Sequence, residues 1–368
     1  MTKVNLKIGI LGTRGIPNYH GGFEQFAQFF SVYLAKHNYE VYVYNSSKHP
    51  FQEKIFNDVN IIHCYDPEDK IGTAGQFIYD LNCILDSRKR NFDILLQLGY
   101  TSSTVWHRLL PKKATIVTNM DGLEWKRSKY SKKVQKFLRY AERLGVKSSD
   151  FLIADSIGIQ SYLKSTYDVD SKYIAYGAEL FNNPEEECIN QFNLKPYSYN
   201  MLIARLEPEN NIETILDGVA LSESKIPFLV VGKHDVNSFG KHLKNKFNDH
   251  KHIQFLGGVY NLNVLNNLRY YSNLYFHGHS VGGTNPSLLE AMSSKALIVA
   301  NDNQFNKSIL KSNAFYFSSP EDVKDCLDNF TKKEHVDKVE NCFNDIEKHY
   351  SWDIINNEYL NFFCECKK

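Results

Sequence analysis

The chain has 368 residues, with 43 Lys and Arg against 42 Asp and Glu, and the resulting net charge of +1 gives no global field that would draw it to nucleic acid. Its 42% hydrophobic and 23% charged residues match an ordinary globular composition, and no run of apolar residues is long enough to span a bilayer. The length suits two domains of roughly 150 to 180 residues better than one.

The N-terminal half alternates strand-like apolar runs with helix-period segments. Lys7–Leu11 reads as a strand followed by a glycine-rich turn, after which Phe23, Phe26, Ala27, Phe30 and Leu34 share one helical face. Strands are expected at Val41–Tyr44, Val59–His63, Ile94–Gln97, Thr115–Thr118 and Leu152–Ala154, with helices near Gln76–Arg90, Lys132–Lys147 and Ile157–Thr166. A strand over Tyr173–Tyr176 precedes a polar stretch, Asn182–Asn193, that reads as an interdomain connection. The alternation then restarts, with strands at Met201–Ala204, Phe228–Val231, Ile253–Leu256, Leu274–Phe276 and Leu297–Ala300. Helices are expected there at Ile212–Leu221, Val264–Tyr271 and Ser287–Ser294, followed by three closing pieces, Glu321–Phe330, Val336–His349 and Trp352–Phe362. The expected domains are 1–178 and 179–350, with 351–368 a C-terminal helix able to pack back on the first domain. Regular βα alternation implies an α/β fold of two doubly wound Rossmann-like halves facing across a cleft, with ligands at the carboxyl ends of strands.

Each segment with chemical potential follows such a strand end. In GILGTRGIPNYHGGFE (Gly9–Glu24) the glycines are spaced GxxGxxG, unlike a dinucleotide fingerprint, and Asn45 stands where an NAD site would place an acid. What remains is a loop with Arg14 for an anion and Gly15, Gly21 and Gly22, or simply a turn that needs glycine. In TNMDGLEWKR (Thr118–Arg127), Asp121 could orient a sugar hydroxyl, accept a proton or cap a turn. From Lys126 to Arg139 the chain carries seven basic residues and no acid, beside Trp125 and Tyr130. Lys129, Lys132, Lys133 and Lys136 share one helical face, suited to anionic lipid, to an anionic acceptor or only to water. In ARLEPENNIETIL (Ala204–Leu216), Arg205 can hold a phosphate bidentately or form a surface pair with Glu207 or Glu209.

HGHSVGGTNPSLLEAM (His277–Met292) runs from a strand through a glycine loop into a helix. Gly282 and Gly283 permit close approach, Asn285 is a good N-cap and Pro286 suits the first helical position. This makes a phosphate site, with Glu290 placed for a ribose diol, unless the segment is only a capped helix with a surface glutamate. His20, His277 and His279 carry no metal-ligand spacing, and HExxH does not occur. The seven cysteines are irregularly spaced, as expected of reduced thiols, and no leader precedes the first strand, so a cytoplasmic location is expected.

Taken together, GTRGIPNYHGGFE, NMDGLEWKR, ARLEPENN and HGHSVGGTNPSLLEAM resemble the retaining glycosyltransferases of family 4, of GT-B architecture. The resemblance covers nearly the whole chain and extends to a bacterial branch of capsule and O-antigen rhamnosyltransferases. It implies that the Gly21–Gly22 loop closes over a donor diphosphate bound by Arg205, that amides around Gly283 and Thr284 contact donor sugar or phosphate, and that Glu290 holds the ribose hydroxyls. Asp121, Arg205 and Glu290 would be the catalytic set, with Gly15, Lys233, Gly282 and Asn285 completing the donor site. The sequence departs from the family at Gly282 and Asn210, where a glutamate and a basic residue are usual, and at Met120, where a histidine is common. Arg14 or Lys233 is expected to supply the missing positive charge.

The implied reaction is transfer of a hexose, rhamnose from dTDP-rhamnose, with retention, onto a lipid-diphosphate-linked glycan in capsule, O-antigen or exopolysaccharide synthesis. It needs no metal and no cofactor beyond the nucleotide-sugar co-substrate. Trp125, Lys126, Arg127, Lys129, Lys132, Lys133 and Lys136 would face the acceptor or an anionic membrane, placing the protein peripherally at the inner face. A nucleotide-sugar epimerase and a non-catalytic sugar-nucleotide-binding protein are the alternatives.

Overall fold

The apolar runs of the first half become one sheet of eight strands: β1 (Lys7–Leu11), β2 (Glu40–Ser46), β3 (Ile55–Phe56), β4 (Val59–Cys64), β5 (Ile94–Leu98), β6 (Thr115–Asn119), β7 (Phe151–Ala154) and β8 (Lys172–Tyr173). The computed structural model describes residues 6–19, 21–120, 122–127 and 130–366. The strand order is β3-β4-β2-β1-β5-β6-β7-β8, parallel throughout except for the β3/β4 pair. β5 and β6 are buried at every position, as strands covered by helices on both faces must be. This unit comprises Met1–Lys126, Tyr130–Tyr176 and Trp352–Lys368. Its last segment is the helix Trp352–Glu365, where the Tyr359 ring lies 4.6 Å from Phe26 and its hydroxyl accepts a hydrogen bond from Asn119 Nδ2 at 3.0 Å. Those aromatic contacts tie it to the helix Gly22–Lys36.

The second unit comprises Arg127–Lys129 and Gly177–Ser351. Its parallel sheet contains β9 (Asn200–Ile203), β10 (Phe228–Val231), β11 (Ile253–Gly257), β12 (Tyr275–His277), β13 (Ile298–Asn301) and β14 (Phe315–Phe317), in the order β11-β10-β9-β12-β13-β14. Leu202, Phe228, Val230, Phe276, Val299 and Phe317 fill its core. In each sheet the order reverses once, at β1/β5 and at β9/β12. Loops leaving such a pair diverge to opposite faces and leave a crevice at the strand ends, the usual ligand position in open α/β sheets.

Several expected elements shift. The Tyr173–Tyr176 strand stops pairing after Tyr173, and the Tyr176 hydroxyl instead bonds the Gly22 carbonyl and Gln25. The polar connection contains a single helical turn, Glu187–Asn190. Helices Ser238–Lys246 and Gln304–Leu310 and strand β14 escape the pattern analysis because each is too short for its apolar residues to show a period. The helix expected over Val336–His349 ends at Asp345 and continues as a π-type turn to Tyr350. None of the seven cysteines is paired, and among the described residues no helix is long and apolar enough to cross a membrane.

Candidate active site

The second unit gathers Arg205 and the 277–290 segment at its switch point. β9 and β12 are hydrogen-bonded neighbours with Leu202 opposite Phe276, so the loops that follow them start side by side. Three contacts then stitch these loops together. Ser280 Oγ donates to the Glu209 carbonyl at 2.7 Å, and Asn211 Nδ2 donates to the Gly278 carbonyl at 2.8 Å. Gly278 lies so close to the Asn210 carbonyl that an added Cβ would stand 2.0 Å from it, which requires glycine there. Asn210 itself is buried and donates to the Arg205 carbonyl at 2.7 Å. Asn210, where the resemblance implies a basic side chain, is thus a loop brace.

Arg205 is exposed, and among the described residues no carboxylate pairs with its guanidinium; Glu207 accepts from Asn237 instead. Its charge is nonetheless felt at His279, whose pKa falls to about 3 through burial first and Arg205 next. Arg205 thus sits in the loop that is stitched to the glycine loop, and among the described residues no carboxylate neutralises its charge. His279 stacks on His277, with centroids 4.4 Å apart, and burial likewise drives the His277 pKa well down. Both imidazoles are neutral at physiological pH.

Asn285 caps the helix Pro286–Ser293, its side chain accepting from Ser287 N at 2.9 Å, while its carbonyl accepts from Leu288 and Leu289. The first helical turn is satisfied, so an anion is left to amides earlier in the loop, around Gly282 and Gly283. Gly282 has φ of +128° with open space at its Cβ, so a glutamate there would fit sterically but strain the backbone. Thr284 is buried. Glu290 Oε2 accepts from Arg269 Nη2 at 2.6 Å, and Arg269 is only 1% exposed. That ion pair fixes the carboxylate, and no bond engages Oε1 among the described residues. Lys233, two residues beyond β10, is exposed and carries no ion pair among the described residues; its Nζ lies 5.4 Å from the Tyr260 ring centre.

The first unit presents a different surface at its own switch point. A cavity of about 520 Å³ is lined by Gly12–Arg14 after β1 and by Leu98–Ser103 after β5. Phe23, Phe77, Tyr79, Tyr130 and Phe137 give it an aromatic wall, with Glu24, Asp80 and Glu124 as acids. Ser102 Oγ donates to Asp80 Oδ2 at 2.5 Å, and burial raises the Asp80 pKa to about 6. Arg14 is not available as a free cation: its guanidinium contacts Glu68 at 2.5 Å and Asp66 at 3.5 Å. Gly15 is required by the turn, since at φ of +126° a Cβ would stand 2.3 Å from the Asn45 side chain, which brackets Ile16 N and O. Gly21 is extended, with nothing nearer than 3.5 Å to an added Cβ, and Gly22 begins the first helix.

Asp121, Lys129 and His20 lie outside the described residues. Lys126, Lys132, Lys133 and Lys136 are exposed, with Val134 (39%) and Tyr140 (56%) among them. Arg127 is half-buried. Trp125 is held inward: its Nε1 donates to buried Glu142 at 3.2 Å and the Arg139 guanidinium covers its ring at 3.8 Å. Glu142 also accepts from Tyr100, Tyr162 and Tyr167. Trp125 therefore braces this region rather than offering a free ring.

Residues 186–348 match the family model described as glycosyl transferases group 1, and residues 5–179 match one described as a domain of unknown function (DUF1972). The fold is also that of several solved structures. Sucrose-phosphate synthase from Thermosynechococcus elongatus is 13% identical, with 98% of each chain covered and a TM-score of 0.78. A glycosyltransferase from Rickettsia africae is 15% identical over 99% of this chain and 100% of that one, at 0.74. HepE of Anabaena, solved with UDP and glucose, is 14% identical over 98% and 100%, at 0.72. No curated protein sequence matches. Two features of these candidate sites were not readable from sequence. Arg269 sits within an ordinary helix, Leu262–Tyr271, and only the register against Pro286–Ser293 reveals its link to Glu290. Asp80 is one acid on an amphipathic helix, distinguished only by burial beside β5.

Proposed function

We propose that this chain transfers a hexose from a nucleotide-diphosphate sugar to a lipid-diphosphate-linked glycan, with rhamnose from dTDP-rhamnose as donor and with retention. The observation that carries the reading is Arg205, an unneutralised guanidinium stitched beside a glycine loop whose helix presents Glu290 on a fixed ion pair. That arrangement suits a diphosphate at the guanidinium and loop amides and a ribose diol at Glu290 Oε1. The UDP and glucose bound to HepE agree with a donor of this class. In the reaction the acceptor hydroxyl oxygen bonds the anomeric carbon as the glycosidic oxygen departs with the diphosphate, which takes up the hydroxyl proton. Arg205 and the loop amides stabilise the charge growing on that leaving group. No step calls for a metal.

The basic face of the helix Lys132–Ser148 supports an anionic acceptor or membrane. Lys132 and Lys133 occupy the first turn with no acid beside them, where the helix dipole disfavours cations by about 0.3–1 kcal/mol each. A cost accepted for the fold alone would be unexpected, whereas an anionic surface offsets it. The aromatic and acidic cavity of the first unit has the lining expected for the acceptor glycan, rings for sugar faces and carboxyls for hydroxyls.

A panel of dTDP-, UDP- and GDP-sugars, followed by thermal stability and then by turnover with a lipid-linked glycan, tests this function. The expected result is stabilisation by one donor that is lost in Arg205→Ala, and acceptor-dependent release of nucleoside diphosphate. Isomerised donor without acceptor, or donor binding with no turnover on any lipid-linked glycan, would overturn it.

A further inference from the structure

Away from Arg205, the second unit holds a cavity of about 220 Å³ that sugar transfer does not use. Tyr197, Tyr270, Lys295, Lys332, Lys333 and Glu340 line it, three cations against one acid. Lys295 Nζ binds both Glu340 oxygens at 2.9 Å, which leaves Lys332 and Lys333 with no carboxylate among the described residues. Lys332 is only 8% exposed, and its Nζ donates to the Tyr270 carbonyl while lying 5.0 Å from the Tyr270 ring centre and 5.5 Å from that of Tyr197. One carbonyl uses one of the three ammonium N–H groups. A buried ammonium whose one hydrogen-bond partner is a neutral carbonyl is costly, and an anion in the cavity would relieve that cost.

Lys295 adds a second indication. It ends the helix Pro286–Ser293 with φ of +51°, a left-handed position that glycine normally fills, and Ala296 N returns to the Ala291 carbonyl at 3.0 Å. A lysine there forgoes about 1 kcal/mol relative to glycine. Its side chain bonds both Glu340 oxygens, so that carboxylate is already paired at the cavity wall.

We propose that this cavity binds a small aromatic anion, one ring bearing a phosphate or carboxylate, with the anionic group at Lys332 and Lys333 and the ring against Tyr197 and Tyr270. Burial, then the neighbouring Lys295 charge, lowers the Lys332 pKa to about 7, opposed by Glu340. Binding favours the protonated amine, so affinity is greatest below about pH 6 and falls as pH rises through 7, approaching about tenfold per unit above it.

The test is thermal unfolding and calorimetric titration of the full chain with phenyl phosphate, benzoate and benzyl alcohol at pH 6.5 and 8.5. Both anions should bind at pH 6.5 and weaken at pH 8.5, and the alcohol should not bind. Lys332→Met should weaken binding at least tenfold and Lys333→Ala severalfold, whereas Arg205→Ala, at the separate donor site, should leave it unchanged. If Lys332→Met does not fold, Lys333→Ala and the pH dependence decide. No binding to the native chain, binding unaffected by the lysine variants, or binding lost in Arg205→Ala would each overturn the proposal.

Discussion

Replacing Asp80 with asparagine removes an acid that the cavity of the first unit holds out of water. Burial lifts its pKa from 3.8 to about 6, against the opposing influence of the Ser102 hydroxyl and the Arg14 charge. The folded chain therefore binds this proton more tightly than the unfolded chain does. The resulting stability is fully present below about pH 4 and is lost as pH rises through 6. At 1.36 kcal/mol per pKa unit, the loss at neutral pH is about 3 kcal/mol. Asparagine cannot ionise, yet it keeps an acceptor for the Ser102 hydroxyl. Urea unfolding at a series of pH values should find the variant and native proteins equal near pH 4. At pH 8 the variant should be the more stable by up to about 3 kcal/mol, a rise in Tm of about 6–12 °C for a unit of this size. Other contributions in this window, such as the unfolded-state titration of His277 and His279, whose folded pKa values lie far lower, cancel in the difference. A difference that does not change with pH, or a variant less stable than native at pH 8, would refute the reasoning.

Arg205→Ala should lower kcat/KM about 10²–10³-fold in steady-state assays, the usual loss for one donor to a developing anion. Glu290→Gln should weaken donor binding about tenfold by calorimetry, and Arg269→Met should cost about 3 kcal/mol of stability because it strands the Glu290 carboxylate. Lys233→Ala should raise donor KM severalfold, whereas Arg14→Ala should leave it unchanged, since Asp66 and Glu68 already neutralise that guanidinium. Reversing charge at Lys132, Lys133 and Lys136 together should abolish sedimentation with vesicles containing anionic lipid, each lysine being worth about 1 kcal/mol near such a surface.

The sequence alone determined the alternation of strands and helices, and with it the α/β class, because a two-residue or 3.6-residue apolar period is written locally. It also determined the cap of the helix Pro286–Ser293, where Asn285 and Pro286 act within one turn of each other. Tertiary structure decided what the charges do. Arg14 and Arg205 look alike as arginines in loops after strands, yet the first is neutralised by residues more than fifty positions away and the second is left free beside the glycine loop. The glycines divide in the same way, Gly15 filling a turn against Asn45 and Gly278 clearing the Asn210 carbonyl. Glu290 owes its orientation to Arg269, and Asp80 and Lys332 owe their chemistry to burial. Charge pairing and desolvation depend on neighbours brought together across the chain, and no local pattern encodes them.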